Sequence, residues 1–108
     1  MAKGQFILDG RKVIPCTEVG QWGHWFMNAE RHVGRTEVGP YVVSTVFVGL
    51  DYSFGESERP LVFETMVFED KEEVEREFYA TWEEAEAGHA RMVALTEQRA
   101  FRETGKRP

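Results

Sequence analysis

The chain predicts an α+β fold: an N-terminal β-hairpin, a short helix, an antiparallel β-meander, and a C-terminal helix packed on the sheet. Three observations carry that expectation. Tyr41 to Glu69 holds two apolar runs dense in Val, Phe and Thr, joined by a polar segment with Asp51, Ser53, Gly55, Ser57 and Pro60, which is the pattern of a central hairpin. FILDGRKVI, ending at Ile14, sets Asp9-Gly10 between two short apolar runs, as a tight turn requires. From Trp82 onward apolar residues recur at helical spacing behind Thr81-Trp82-Glu83-Glu84, a capping box that marks a helix start. Neither central run alternates cleanly between apolar and polar. Both faces of those strands are therefore expected to be covered, one by helices and the other by more chain or a second subunit.

In chain order, Pro15 ends the first hairpin. Thr17 is then expected to cap a helix whose apolar positions Val19, Trp22, Phe26, Ala29 and Val33 follow spacings of three or four. Gly20 and Gly23 weaken that helix by roughly 1 kcal/mol each relative to Ala, so packing of Trp22, Trp25 and Phe26 must hold it. Gly39-Pro40 is a turn between a strand near His32 to Val38 and the strand Tyr41 to Leu50; a loop over 51–60 and the strand Leu61 to Glu69 follow. KEEVEREFYA, ending at Ala80, has high helix propensity. The capping box at Thr81 nevertheless favours a strand over 72–80, with Val74, Arg76, Phe78 and Ala80 alternating against Glu75, Glu77 and Tyr79. The last helix should turn Trp82, Ala85, His89, Met92, Val93, Leu95 and Phe101 toward the sheet, and Gly88 is affordable there only if two elements approach closely. The organisation is a single domain over 1–103 with a flexible tail over 104–108.

At 108 residues with 42% hydrophobic and 13% aromatic content, the chain suits one globular core, and no apolar run approaches the roughly 20 residues that span a bilayer. MAKGQFILDG lacks the apolar stretch of a secretory signal, and Cys16 is the single cysteine. A soluble, cytoplasmic protein without a membrane partner is expected, with Cys16 as a small buried apolar residue. A net charge of −6 argues against direct nucleic-acid binding. Nine carboxylates crowd Glu69 to Glu86, Glu72, Glu73 and Glu75 among them, against Lys71 and Arg76. Such a band is read first as a solvated face, then as a patch for a basic partner.

Along VSTVFVGLDYSFG, LVFETMVFE and ATWEEAEAGHARMV the chain resembles a family of short uncharacterised proteins of bacteriophage genomes and their bacterial hosts. The resemblance runs from about Phe6 to Val93 and includes the PCTEV segment, the RTEVG turn, the FETMVF strand and the TWEEAEAGH helix start. It implies an accessory role in the contest between phage and host and no particular activity. The segment after Phe68 departs from it, being longer and more acidic than the Gly-Pro-rich loop expected of the family.

Individual residues suggest chemistry. Glu64 lies within an apolar run on the strand face of Val62, Met66 and Phe68, so it must pair with an arginine such as Arg31 or Arg35, face water at an edge, or serve as the raised-pKa carboxylate of a ligand pocket. Asp51, Tyr52 and Ser53 sit at a strand-to-loop junction, where they can hold a ligand, or Asp51 can close its own turn while Phe54 enters the core. His89 is a core histidine or, facing Glu64 or Thr45, half of an acid-base pair. Trp22 and Trp25 are core residues or a partner interface, possible in a homo-oligomer. His24 and His32 match no metal spacing, and no cofactor motif is present. The leading expectation is a non-catalytic accessory binding protein that acts through a protein interface or by sequestering a small ligand. The alternatives are a small enzyme using Glu64 and His89, and an acidic nucleic-acid mimic that blocks a DNA-binding protein.

Overall fold

The computed structural model describes residues 4–18 and 20–105. β1 (Phe6–Asp9) and β2 (Lys12–Pro15) pair antiparallel with Asp9 opposite Lys12, so Gly10 and Arg11 form the turn and Gly10 takes the positive φ of 63°. The hairpin is tied to the chain beyond the central strand: the Phe6 amide donates to the Gly49 carbonyl at 2.7 Å, and Gln5 bridges to Leu50.

α1 (Gln21–Asn28) begins later than the sequence suggests. Its N-cap is Gly20, at φ 82°, with no side-chain cap, so Thr17 does not start it; glycine alone enters that left-handed conformation without strain. Val33 belongs to the next strand, and Val19 lies outside the described residues. Packing holds α1, as its glycines demand: Trp22 Nε1 donates to the Phe6 carbonyl at 2.9 Å, Trp22 stacks on Phe26, and Trp25 meets Phe47 edge-on at 5.6 Å.

The meander is β3 (His32–Val38), β4 (Tyr41–Phe47), β5 (Phe63–Glu69) and β6 (Glu72–Tyr79), all antiparallel and adjacent in chain order. The 72–80 segment is thus a strand, as the capping box argued. A bulge between Val67 and Phe68 breaks its alternation: Glu75 stands opposite Val67 and Glu73 opposite Phe68, so Val74 joins the core instead of sharing a face with Arg76 and Phe78. The central strands are shorter than their apolar runs, because Gly49, at φ 71°, turns the chain toward the hairpin.

α2 (Trp82–Thr104) crosses all four strands. Thr81 Oγ1 accepts from the Glu84 amide at 3.1 Å, and Glu84 reaches back to accept from the Ala80 amide at 3.2 Å. The helix includes Thr104 and ends on left-handed Gly105; residues 106–108 of the expected tail lie outside the described residues. The expected stripe holds at Trp82, Ala85, His89, Met92 and Val93 and fails at Leu95 and Phe101. Ala85, Gly88, Met92, Thr96 and Ala100 face the sheet, whereas Leu95 and Phe101 are 51% and 48% exposed. Small residues win those positions because the helix lies close on the strands: a Cβ on Gly88 would stand 2.2 Å from the Tyr79 ring.

The covered face carries Tyr41, Val43, Thr45 and Phe47 of β4 and Phe63, Thr65 and Val67 of β5, all buried. Two apolar clusters form there. One gathers Phe6, Phe47, Val62, Phe63, Tyr79 and Ala85; the other gathers Val38, Tyr41, Val43, Val67, Met92 and Ala100. Among the described residues, no helix is long and apolar enough to cross a membrane.

Candidate functional site

Between the two apolar clusters lies one polar row of the sheet, Gly34, Thr45, Thr65 and Glu77, set side by side by the strand register. His89 of α2 drops onto it. Its Nε2 is 2.9 Å from Thr36 Oγ1 and its Nδ1 is 2.7 Å from Thr45 Oγ1, which in turn lies 2.5 Å from Thr65 Oγ1. Beside Thr65 in the register, Glu77 accepts from the Tyr79 hydroxyl at 2.7 Å, and Arg91 closes the row as an ion pair with Glu77. Gly34 is what admits the imidazole, since a Cβ there would be 3.0 Å from Nε2. Burial pushes the His89 imidazole below its ordinary value, so the neutral ring is the resident form. Both nitrogens are taken by hydroxyls that can donate or accept, so the network is satisfied as it stands. Its chemistry is that of a structural layer which ties the helix to all four strands.

Glu64 does not meet His89. It stands opposite Val46 and Phe78, on the face turned away from α2, whereas His89 is hydrogen-bonded on the covered face. That geometry removes the shared pocket that acid-base chemistry by this pair requires. The partner of Glu64 is neither Arg31 nor Arg35. Arg76, across the strand pair on β6, places its Nε 3.1 Å from the carboxylate, and Glu73 takes the other end of the same guanidinium. The Glu64 side chain is only 10% exposed, and burial raises its pKa against the pull of Arg76. Arg31 instead donates to the Phe47 carbonyl at 3.2 Å and lies over Phe26. Arg35 pairs with Glu37 at 2.9 Å.

Asp51 closes its own loop. Its Oδ1 accepts from the Ser53 amide, the Ser53 hydroxyl and the Leu61 amide at 2.6–3.0 Å. These bonds hold its carboxyl below the ordinary range despite the opposing effect of burial. Ser53 is consumed in that turn, and Phe54 does not enter the core: it is 85% exposed at φ 53°. Tyr52 stacks on Phe78 at 5.0 Å and so joins the same face as Glu64 and Arg76. Trp22 and Trp25 are spent on Phe6, Phe26 and Phe47. Four of the nine acidic-band carboxylates, Glu73, Glu77, Glu84 and Glu86, are paired with Arg76, Arg91, Arg59 and Arg11, so the band is partly neutralised and keeps a net negative charge. Cys16 is buried. Among the described residues, no group of His, Cys, Asp or Glu is placed to hold a metal.

What the sequence reading did not assemble is the outer face of the sheet as one surface. Alternation from the covered face puts Val42, Ser44, Val46, Glu64, Met66, Phe68, Arg76 and Phe78 there. Apart from Glu64, which is buried, and Arg76, which is exposed, these side chains are half-buried. Neither helix crosses it. At its end next to the turns, Pro40, Val42, Phe68, Asp70 and Lys71 line a shallow cavity of about 430 Å³. The signal available in the sequence was the missing alternation in both central strands, from which cover on two sides is expected; the chain itself places a helix on one side only. Comparison with family models, with curated proteins and with solved structures finds no match for this chain, so its function is read from this geometry alone.

Proposed function

We propose that the chain is a non-catalytic accessory binding protein whose working surface is the outer face of the sheet, and that its occupant is a protein. The observation that carries this reading is the half-exposed row of Val42, Val46, Met66, Phe68 and Phe78 around the Glu64–Arg76 ion pair, on a sheet whose other face alone holds a helix. Apolar side chains grouped with a buried carboxylate that an arginine pairs from the rim, and with an aromatic stack, are the composition of an interface core. A solvated sheet face would alternate to polar residues at these positions. The His89 network supports a scaffold and not a reaction, because its groups are turned on one another.

Native mass spectrometry of the protein drawn from its host, beside its Met66→Lys and Glu64→Gln variants, tests the reading. A protein complex lost on Met66→Lys supports it. A retained small mass lost on Glu64→Gln and no protein complex would replace it with ligand sequestration, and turnover of any substrate abolished by His89→Gln would overturn it.

A further inference from the structure

The outer face is self-complementary, and we infer that the protein seated on it is a second copy of this chain, in a face-to-face two-fold dimer. The inference rests on the binding reading above and names the partner of that same surface. The strand register lays the face out in rows. Arg35, Ser44, Met66 and Arg76 form one row, and Glu37, Val42, Phe68 and Glu73 form the next. Each row thus ends in two arginines or in two glutamates, with apolar and small residues between.

A two-fold axis lying parallel to the sheet, perpendicular to the strands and between these two rows sets each strand over its own copy running the other way. It places the arginine row of one copy over the glutamate row of the other. Arg35 then faces Glu37 of the second copy, Arg76 faces Glu73 of the second copy, Met66 packs on Phe68, and Ser44 lies over Val42. Arg35 already pairs with Glu37 and Arg76 with Glu73 inside each copy, so the axis lays each pair over its reversed counterpart and builds a four-membered cluster of alternating charge at each edge. The same axis carries the row of Val46, Glu64 and Phe78 over the turn end of the second copy. There the shallow cavity between Pro40, Val42, Phe68, Asp70 and Lys71 lies opposite Val46 and Glu64, and Lys71 sits beside Asp70 to offset its charge against Glu64. Two sheets packed in this way sit about 10 Å apart with strands within about 30°, an angle that long Arg and Glu side chains span at the edges.

Area sets the strength. Four strands of about seven residues present a flat footprint of roughly 400 Å² per copy, at about 4.8 Å between strands and 3.4 Å along them. That is below the standard interface of about 800 Å² per partner, so the dimer falls among weak, transient encounters. A weak self-association leaves the face open to any tighter-binding protein, which would take it in competition with the second copy.

Sedimentation equilibrium of the purified chain from about 5 to about 500 μM covers the range in which a weak self-association is seen. The expected result is a monomer–dimer equilibrium that weakens at high salt. Met66→Lys should abolish it. Arg35→Glu, at an exposed edge away from the core, should weaken it at least about tenfold by opposing Glu37 of the second copy, and Arg35→Glu with Glu37→Arg should restore it. Circular dichroism confirms that each variant is folded. A monomer throughout the range, a dimer indifferent to Met66→Lys, or an Arg35→Glu loss that the double swap fails to recover would each overturn the proposal. A monomer that still forms a Met66-dependent complex with another protein overturns the dimer and leaves the binding reading standing. A dimer with every expected variant effect but no other partner does the reverse for any role beyond self-association.

Discussion

Gly88→Ala tests the closeness of α2 to the sheet, and its sign is diagnostic. In an exposed helix interior the change should stabilise, because alanine is better than glycine there by about 1 kcal/mol. Here the new methyl would lie 2.2 Å from Tyr79 Cε1 and Cζ and 2.4 Å from its hydroxyl. Carbon atoms prefer roughly 3.5–4.0 Å, so more than about 1 Å must be recovered by moving the ring or lifting the helix. The ring is the softer of the two, but it is buried between Phe63 and Ala85 and its hydroxyl donates to Glu77. Overpacking costs about 1–3 kcal/mol and a disturbed hydrogen bond about 1 kcal/mol, against the gain of about 1 from propensity. The expected net loss is about 1–3 kcal/mol. For a chain of this size that lowers Tm by about 4–12 °C in a thermal melt followed by circular dichroism. In a Tyr79→Leu background the clash is gone, and the same substitution should be neutral or stabilising. A rise in Tm for Gly88→Ala in the wild-type chain, or an equal loss in both backgrounds, would refute the reasoning.

Other consequences follow from the polar layer and the outer face. Thr45→Val leaves His89 Nδ1 and the Thr65 hydroxyl without their shared partner, and should lower unfolding stability by about 1–3 kcal/mol in urea with an unchanged m-value. Because burial holds His89 below its ordinary 6.5, the unfolded chain takes up that proton first as pH falls. Stability should be full above about pH 6.5 and decline below it, and the decline between about pH 6.5 and 5 should flatten in His89→Gln; an unchanged pH profile in that variant would refute it. Burial raises the Glu64 carboxyl above its unfolded value of 4.5, so its contribution is largest at low pH and falls as pH rises through the raised value. Arg76→Ala removes the opposing charge and should cost about 1–3 kcal/mol near pH 7 and much less near pH 4. Glu64→Gln should be neutral or stabilising near pH 7, because Arg76 keeps Glu73. Urea midpoints at the two pH values separate these cases.

Local physics made most of the fold legible in the sequence. The Asp9-Gly10 turn signal, the β-branched and aromatic runs of β4 and β5, and the Thr81/Glu84 cap each act within a few residues, so the chain alone determined the hairpin, the meander and the start of α2. Even the strand over 72–80 was readable, because a cap three residues long outweighed a helix-prone composition. Asp51 as the closure of its own turn was legible for the same reason.

Tertiary structure alone decided the rest, where the outcome depended on which surfaces meet. Gly20 took the cap from Thr17, and the close seat of α2 put Thr96 and Ala100 inward in place of Leu95 and Phe101. The bulge at Phe68 moved Val74 to the core and left Arg76 as the partner of Glu64. Glu64 and His89 are both polar residues in apolar surroundings, and sequence spacing could not tell that a strand's alternation and a helix's placement put them on opposite faces of one sheet. Pairing register is a long-range property: it built a satisfied Thr–His layer on one side and gathered a half-exposed apolar face on the other. From the sequence both faces of the central strands are expected to be covered; only the packed chain showed which face α2 takes and that neither helix crosses the other.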